Sequence, residues 1–112
     1  MQPMHAAAVA LTALSIALSP GDGGATQHWT LRCGPAGGTL PRAALACRRL
    51  AALTDPFAPV PGDAACTQVY GGPQTARVTG TFRGRSLWAR FARRDGCEIA
   101  RWQKVAFLFP AS

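Results

Sequence analysis

Apolar and polar positions alternate with a period of two in several short stretches, separated by glycine and proline. Leu14, Ile16 and Leu18 alternate with Ser15, Ala17 and Ser19, the period of a half-buried strand. Pro20-Gly21-Asp22-Gly23-Gly24 is then a turn, and Gln27 to Cys33 a second strand with Trp29 and Leu31 on one face. From Gln74 the alternation returns, with Ala76, Val78, Gly80 and Phe82 on one side and Arg77, Thr79 and Thr81 on the other. Arg83-Gly84 turns the chain, and Ser86 to Ala92 runs back with Leu87, Ala89 and Phe91 set against Trp88 and Arg90, which predicts a hairpin. The continuous apolar run Val105 to Phe109 fits a fifth, buried strand.

A period near four replaces the alternation in two places. Leu45, Arg49, Ala52 and Leu53 predict a helix that carries Cys47, with Pro41 in its first turn and Asp55-Pro56 as its stop. Cys97 to Lys104 predicts a second short helix with Ile99 and Trp102 on one face. Between them, Phe57 to Ala65 holds Pro59, Pro61 and Gly62 and is expected to be an irregular loop ending at Cys66. The expected fold class is therefore α+β: a single five-stranded antiparallel sheet with two short helices. Met4 to Leu18 has a second reading, as the core of a secretory signal, but no Lys or Arg precedes it and no small-x-small cleavage site follows. The strand reading is preferred. It leaves residues 1–10 as an N-terminal segment, the remnant of a signal peptide, and 11–112 as the domain. The export signal would then be missing from the sequence, as if its reading frame started too late.

Composition narrows the function. The 112 residues are 48% hydrophobic and 15% charged, enough for one small core and too apolar for a disordered chain. No apolar run is long enough for a membrane span. Four cysteines in so short a chain suggest two disulfides and an oxidising compartment, with three pairings open. They form no C-x-x-C pair, and both histidines, His5 and His28, precede the first of them, so neither a zinc site nor a Cys–His nucleophile is expected. Asp55, Asp63, Asp95 and Glu98 lie in turn-like surroundings and read as caps or turn residues rather than acid–base catalysts. No enzyme, metal or cofactor is indicated. The net charge of +7 comes mostly from arginine, and Arg77, Arg83, Arg85, Arg90, Arg93 and Arg94 crowd the hairpin around Phe82 and Trp88. That pattern could bind nucleic acid or an anionic surface, but arginines also keep the outer face of a sheet soluble and guard its edge. The second reading is preferred.

Several segments together resemble the Streptomyces subtilisin inhibitor-like (SSI-like) serine protease inhibitors. They are Cys33-Gly34-Pro35-Ala36-Gly37-Gly38-Thr39, Ala46-Cys47, Asp55-Pro56-Phe57, Cys66-Thr67-Gln68-Val69-Tyr70-Gly71-Gly72-Pro73, Val78-Thr79-Gly80-Thr81-Phe82-Arg83-Gly84, Arg90-Phe91, Gly96-Cys97-Glu98-Ile99-Ala100-Arg101-Trp102 and the apolar end Val105 to Phe109. The resemblance covers roughly residues 11–109. It implies Cys33–Cys47 and Cys66–Cys97 bridges, a secreted, extracellular protein, and a homodimer formed through sheet faces. It also implies that the partner is a serine endopeptidase of the subtilisin type, with trypsin-like enzymes as further targets in some members.

The same resemblance places a substrate-like reactive loop at Cys66 to Tyr70, with the scissile bond between Gln68 and Val69 and loop contacts from Ala65, Cys66, Thr67 and Tyr70. Members commonly carry Met, Leu, Lys or Arg at the reactive position. Gln68 is none of these, and a neutral side chain suits the broad pocket of subtilisin better than the acidic pocket of trypsin. Thr67 stands where some members have Pro, which predicts a looser approach to the scissile bond, and Gly71-Gly72 is expected to add flexibility beyond it. Two plainer readings compete. Tyr70 would pack on the hairpin and Val69 would begin a strand, or the protein would be a non-inhibitory secreted cationic binding module on the same fold.

Overall fold

The alternation from Leu14 onward does build a strand, β1 (Thr12–Ser19), and it lies inside the sheet rather than at its edge. The computed structural model describes residues 11–110, so the expected leader remnant 1–10 lies outside the described residues. β1 pairs antiparallel with β2 (Gln27–Cys33) on one side and with β3 (Thr75–Phe82) on the other, and β3 pairs with β4 (Arg85–Phe91). The order is β2-β1-β3-β4. Ile16 sits opposite Trp29 in one ladder and Val78 in the other. Because side chains alternate across the sheet, this register puts Leu14, Ile16, Leu18, Leu31, Ala76, Val78, Ala89 and Phe91 on one buried face. Each large side chain among them contributes roughly 1.5–3 kcal/mol of burial.

Two helices close that face. α1 (Ala43–Ala52) buries Ala46 and Leu50, one turn apart, with Ala43, Cys47 and Leu53 packed beside them. Pro41 precedes it rather than filling its first turn, which begins at Ala43. α2 (Gly96–Lys104) turns Trp102 inward, where it meets Phe109 at 4.8 Å between ring centroids. Phe109, Phe91, Phe57 and Phe82 continue as a chain of edge-on ring contacts.

The expected fifth strand is not formed. The sheet has four strands, and Ala106–Leu108 is a single 3₁₀ turn that continues from α2, with Leu108 N–H donating to Val105 and Phe109 N–H to Ala106. The buried residues Val105, Leu108 and Phe109 are spaced three and four apart, a helical spacing hidden inside a uniformly apolar run. No glycine or proline lies between Gly96 and Pro110, so the chain keeps coiling instead of setting out on a strand.

The hairpin turn does more than reverse the chain. Arg83 and Gly84 both have positive φ (52° and 82°), as a two-residue type I′ connection requires. Arginine in this region costs about 1–2 kcal/mol. The guanidinium offsets it by donating to the carbonyls of Leu50, Leu53 and Thr54 at 2.8–3.0 Å, where a cation also suits the C-terminal end of α1. Arg101 acts similarly on the loop after α1, donating to the Phe57 and Ala58 carbonyls and lying over the Phe91 ring. Burial lowers its pKa from the ordinary guanidinium value, against the opposing pull of Glu98.

Candidate functional site

The segment from Cys66 to Tyr70 has no regular secondary structure and no ladder to support it. What shapes it is a set of attachments to the start of α2 and the residues just before. Asp95 caps this helix, its side chain accepting from Glu98 N–H at 2.9 Å. The cap fixes Gly96 and Cys97 as the first helical residues. Cys97 bonds Cys66, with Cα atoms 5.3 Å apart. Gly96 N–H, one of the donors a helix start leaves over, donates to the Thr67 carbonyl at 2.9 Å. A side chain at Gly96 would run into the Thr67 hydroxyl. The loop and the helix end therefore meet at a spot where only hydrogen fits.

The far side is held as firmly. Gly71 N–H donates to the Arg93 carbonyl at 2.7 Å, and Arg93 Nε returns a bond to the Gly71 carbonyl at 3.0 Å. Arg93 is itself laid over the Trp102 ring at 5.3 Å. A Cβ on Gly71 would come within 2.8 Å of Ile99 Cδ1. The expectation that Gly71 loosens this side is thus corrected: its missing side chain permits close packing on α2. Thr67, expected to leave the approach loose, has its carbonyl pinned instead.

Between these anchors the loop is open to solvent. Val69 is 52% exposed and Tyr70 70%, which sets two large apolar surfaces side by side in solvent. Tyr70 does not pack on the hairpin, and Val69 does not begin a strand, since β3 starts at Thr75. Val69 N–H donates to the Thr67 carbonyl at 2.9 Å, a three-residue turn that puts Gln68 at its apex. The Gln68 side chain folds back, Nε2 donating to the Cys66 carbonyl at 3.4 Å. Among the described residues the main-chain N–H groups of Cys66, Gln68 and Tyr70 have no partner. The segment offers unused backbone donors beside exposed apolar side chains, a surface suited to being gripped by another protein's strand edge.

The structure brings Cys66, Thr67, Gln68, Val69 and Tyr70 together in one protruding loop, with Ala65 exposed just before it. The other bridge, Cys33–Cys47, ties the end of β2 to α1 with Cα atoms 5.7 Å apart. Arg93 and Gly71 went unrecognised as loop supports in the sequence, where Arg93 is one of a crowd of arginines. Asp95, Cys66 and Cys97 bring potential ligand atoms within 4.8 Å of one another, but the sulfurs are spent on their disulfide and Asp95 is the helix cap. A cavity of about 680 Å³ between α1 and the hairpin, lined in part by Leu11, Leu50, Leu53 and Phe82, shares no residue with the loop.

A family model described as subtilisin inhibitor-like matches residues 10–92, which takes in all four strands, α1 and the whole loop but stops before Cys97. No curated protein matches the chain.

Proposed function

Because the chain belongs to the subtilisin inhibitor-like family, whose members inhibit proteases and are not enzymes, we propose that it is secreted and blocks subtilisin-like serine endopeptidases through Cys66–Tyr70, with Gln68–Val69 as the scissile bond. The observation that carries this reading is the pairing of an exposed, irregular loop with attachments on both of its sides. A free peptide of this length would lose about 1–2 kcal/mol per residue on being ordered in a protease cleft. Here most of that ordering has been accomplished by folding, so contact energy appears as affinity.

The protease would bind the loop as an added strand, drawing on the free N–H groups of Cys66, Gln68 and Tyr70. Gln68 would enter the primary specificity pocket. Its carboxamide, held on the Cys66 carbonyl only by a long 3.4 Å bond, can swing outward at little cost. Attack on the Gln68 carbonyl would form an acyl-enzyme and release the Val69 amine. The amine stays nearby, since Gly71 is clamped to Arg93 on its side while Cys66 and Thr67 hold the acyl side. Re-formation of the peptide bond then competes with hydrolysis, and the complex turns over slowly. No catalytic group of the inhibitor takes part.

The homodimer belongs to the same reading. The sheet face turned away from the core carries the small residues Ala13, Ser15 and Ala17 with Trp88, which is 66% exposed. Two such faces could pack with Trp88 near the centre. Titration of subtilisin with the purified protein tests the inhibitory reading. Stoichiometric loss of activity, abolished in Gln68→Pro, is expected; rapid, complete cleavage at Gln68–Val69 without inhibition would overturn it. Sedimentation of Trp88→Ala, expected to shift toward monomer, tests the dimer separately.

A further inference from the structure

Two backbone contacts bracket the loop against a second segment. Thr67 is bonded to Gly96 and Gly71 to Arg93, so residues 67–71 and 93–96 lie side by side and run in opposite directions. Between these anchors the loop has Gln68, Val69 and Tyr70, and the facing segment has Arg94 and Asp95. The order of the anchors sets Arg94 beside Tyr70, on the side of the scissile bond that keeps the amine. From Ala92 to Ile99 only Arg94 is exposed, with 72% of its side chain open to solvent. Arg93 is turned inward onto Gly71 and Trp102, and Asp95 is the helix cap. Among the described residues Arg94 has one ion pair, with Glu98 at 3.6 Å, and so open a pair contributes little. Nor does its position serve α2. It precedes the N-cap, where a cation opposes the helix dipole.

The inference rests on the inhibitory reading of the loop: we propose that Arg94 is a specificity-determining residue, selecting proteases that carry a carboxylate on the rim of the cleft that takes Val69 and Tyr70. Interfaces between proteases and their inhibitors engage about 20–30 residues a side, so the contact has to spread from a five-residue loop onto what lies beside it. The segment bonded to both ends of the loop is the nearest such surface, and Arg94 is its open side chain. Its guanidinium fork fits a carboxylate in a bidentate way. A basic rim residue would be repelled instead. Exposed charges at the edge of an interface act mainly on the rate of association, so the selection falls there. The net charge of +7 draws any acidic protein toward the molecule; Arg94 puts a discriminating charge at the reactive end.

The test titrates subtilisin variants in which the exposed positions along that rim are changed, one at a time, to Glu and to Lys. At one or more positions the native protein should inhibit the Glu form about tenfold more tightly than the Lys form. The gap should lie in the association rate and close in high salt. Arg94→Gln should level the two forms, and Arg94→Glu should reverse their order. Arg85→Glu makes the same change in net charge at the opposite end of β4 and should keep the native order. Arg94→Glu puts an anion where the dipole of α2 favours one, so its unfolding midpoint should be no lower than the native one. Two results overturn the proposal while leaving the inhibitory reading intact: no rim position at which the native protein discriminates, or a reversal in Arg85→Glu as complete as in Arg94→Glu. Failure of the native protein to inhibit any of the subtilisins overturns that reading, and the proposal with it.

Discussion

The two disulfides make nearly the same covalent link yet act on different kinds of structure. Cys33–Cys47 joins the end of a strand to a helix that already packs against it. Cys66–Cys97 joins a segment with no ladder to the capped start of α2. By loop length the two should stabilise the fold similarly, by about 3 and about 4 kcal/mol. Their separations, 14 and 31 residues, differ too little to set them apart. The contrast lies in what else holds each region. Without the first bridge, the β1–β2 ladder and the burial of Leu50 and Leu31 still define the local shape. Without the second, a few hydrogen bonds are left to define the loop. A crosslink gives stability anywhere, and gives shape only where nothing else does.

That contrast can be broken most sharply at the loop. Replacing Cys66 and Cys97 together with Ser should free two or three loop residues, costing the complex about 3 kcal/mol, roughly a hundredfold in inhibition constant. It should also convert the protein into a substrate cleaved at Gln68–Val69, as mass analysis of the digest would show. An unchanged inhibition constant would mean that the bridge does not preorganise the loop. Replacing Cys33 and Cys47 with Ser should lower unfolding free energy in denaturant by about 3 kcal/mol while leaving inhibition within a few-fold at temperatures where the variant is folded. Equal damage to inhibition would mean that both bridges shape the loop. Gly71→Ala forces a Cβ against Ile99 and should weaken inhibition about tenfold with a stability loss of about 1–3 kcal/mol. Smallest is Asp95→Ala, which removes the cap behind Gly96 and Cys97. A loss of about 1 kcal/mol in thermal unfolding is expected, with faster proteolysis of the loop.

Much of the sheet was legible from alternation alone. Leu14, Ile16 and Leu18 marked β1, and Arg83-Gly84 marked the hairpin turn, because one face is buried and one is wet. Val105 to Phe109 was misread because it is apolar on every side, which removes the period that separates a strand from a helical turn. The position of the loop and the pairing of its cysteines came from resemblance, since four half-cystines permit three pairings and spacing does not choose among them. What composition concealed was the division of labour among the arginines. Arg83 holds a helix end, Arg93 a loop and Arg101 a connecting segment, while Arg77 and Arg90 face solvent. Each role depends on which carbonyls three-dimensional packing leaves within reach, and no local pattern encodes that.

The position of β1 has a consequence for how the molecule is made. Its inner neighbour is β3, so Ala13 must find Thr81 and Ser19 must find Thr75 across most of the domain. Neither sulfur bridge encloses that crossing, and the entropy of closing so long a loop has to be met before the central ladder returns any energy. Sheets assembled from distant partners fold at the slow end of the range for small domains. The first strand can pair with β2 soon after both are made, but its other edge stays open until the hairpin has emerged to receive it.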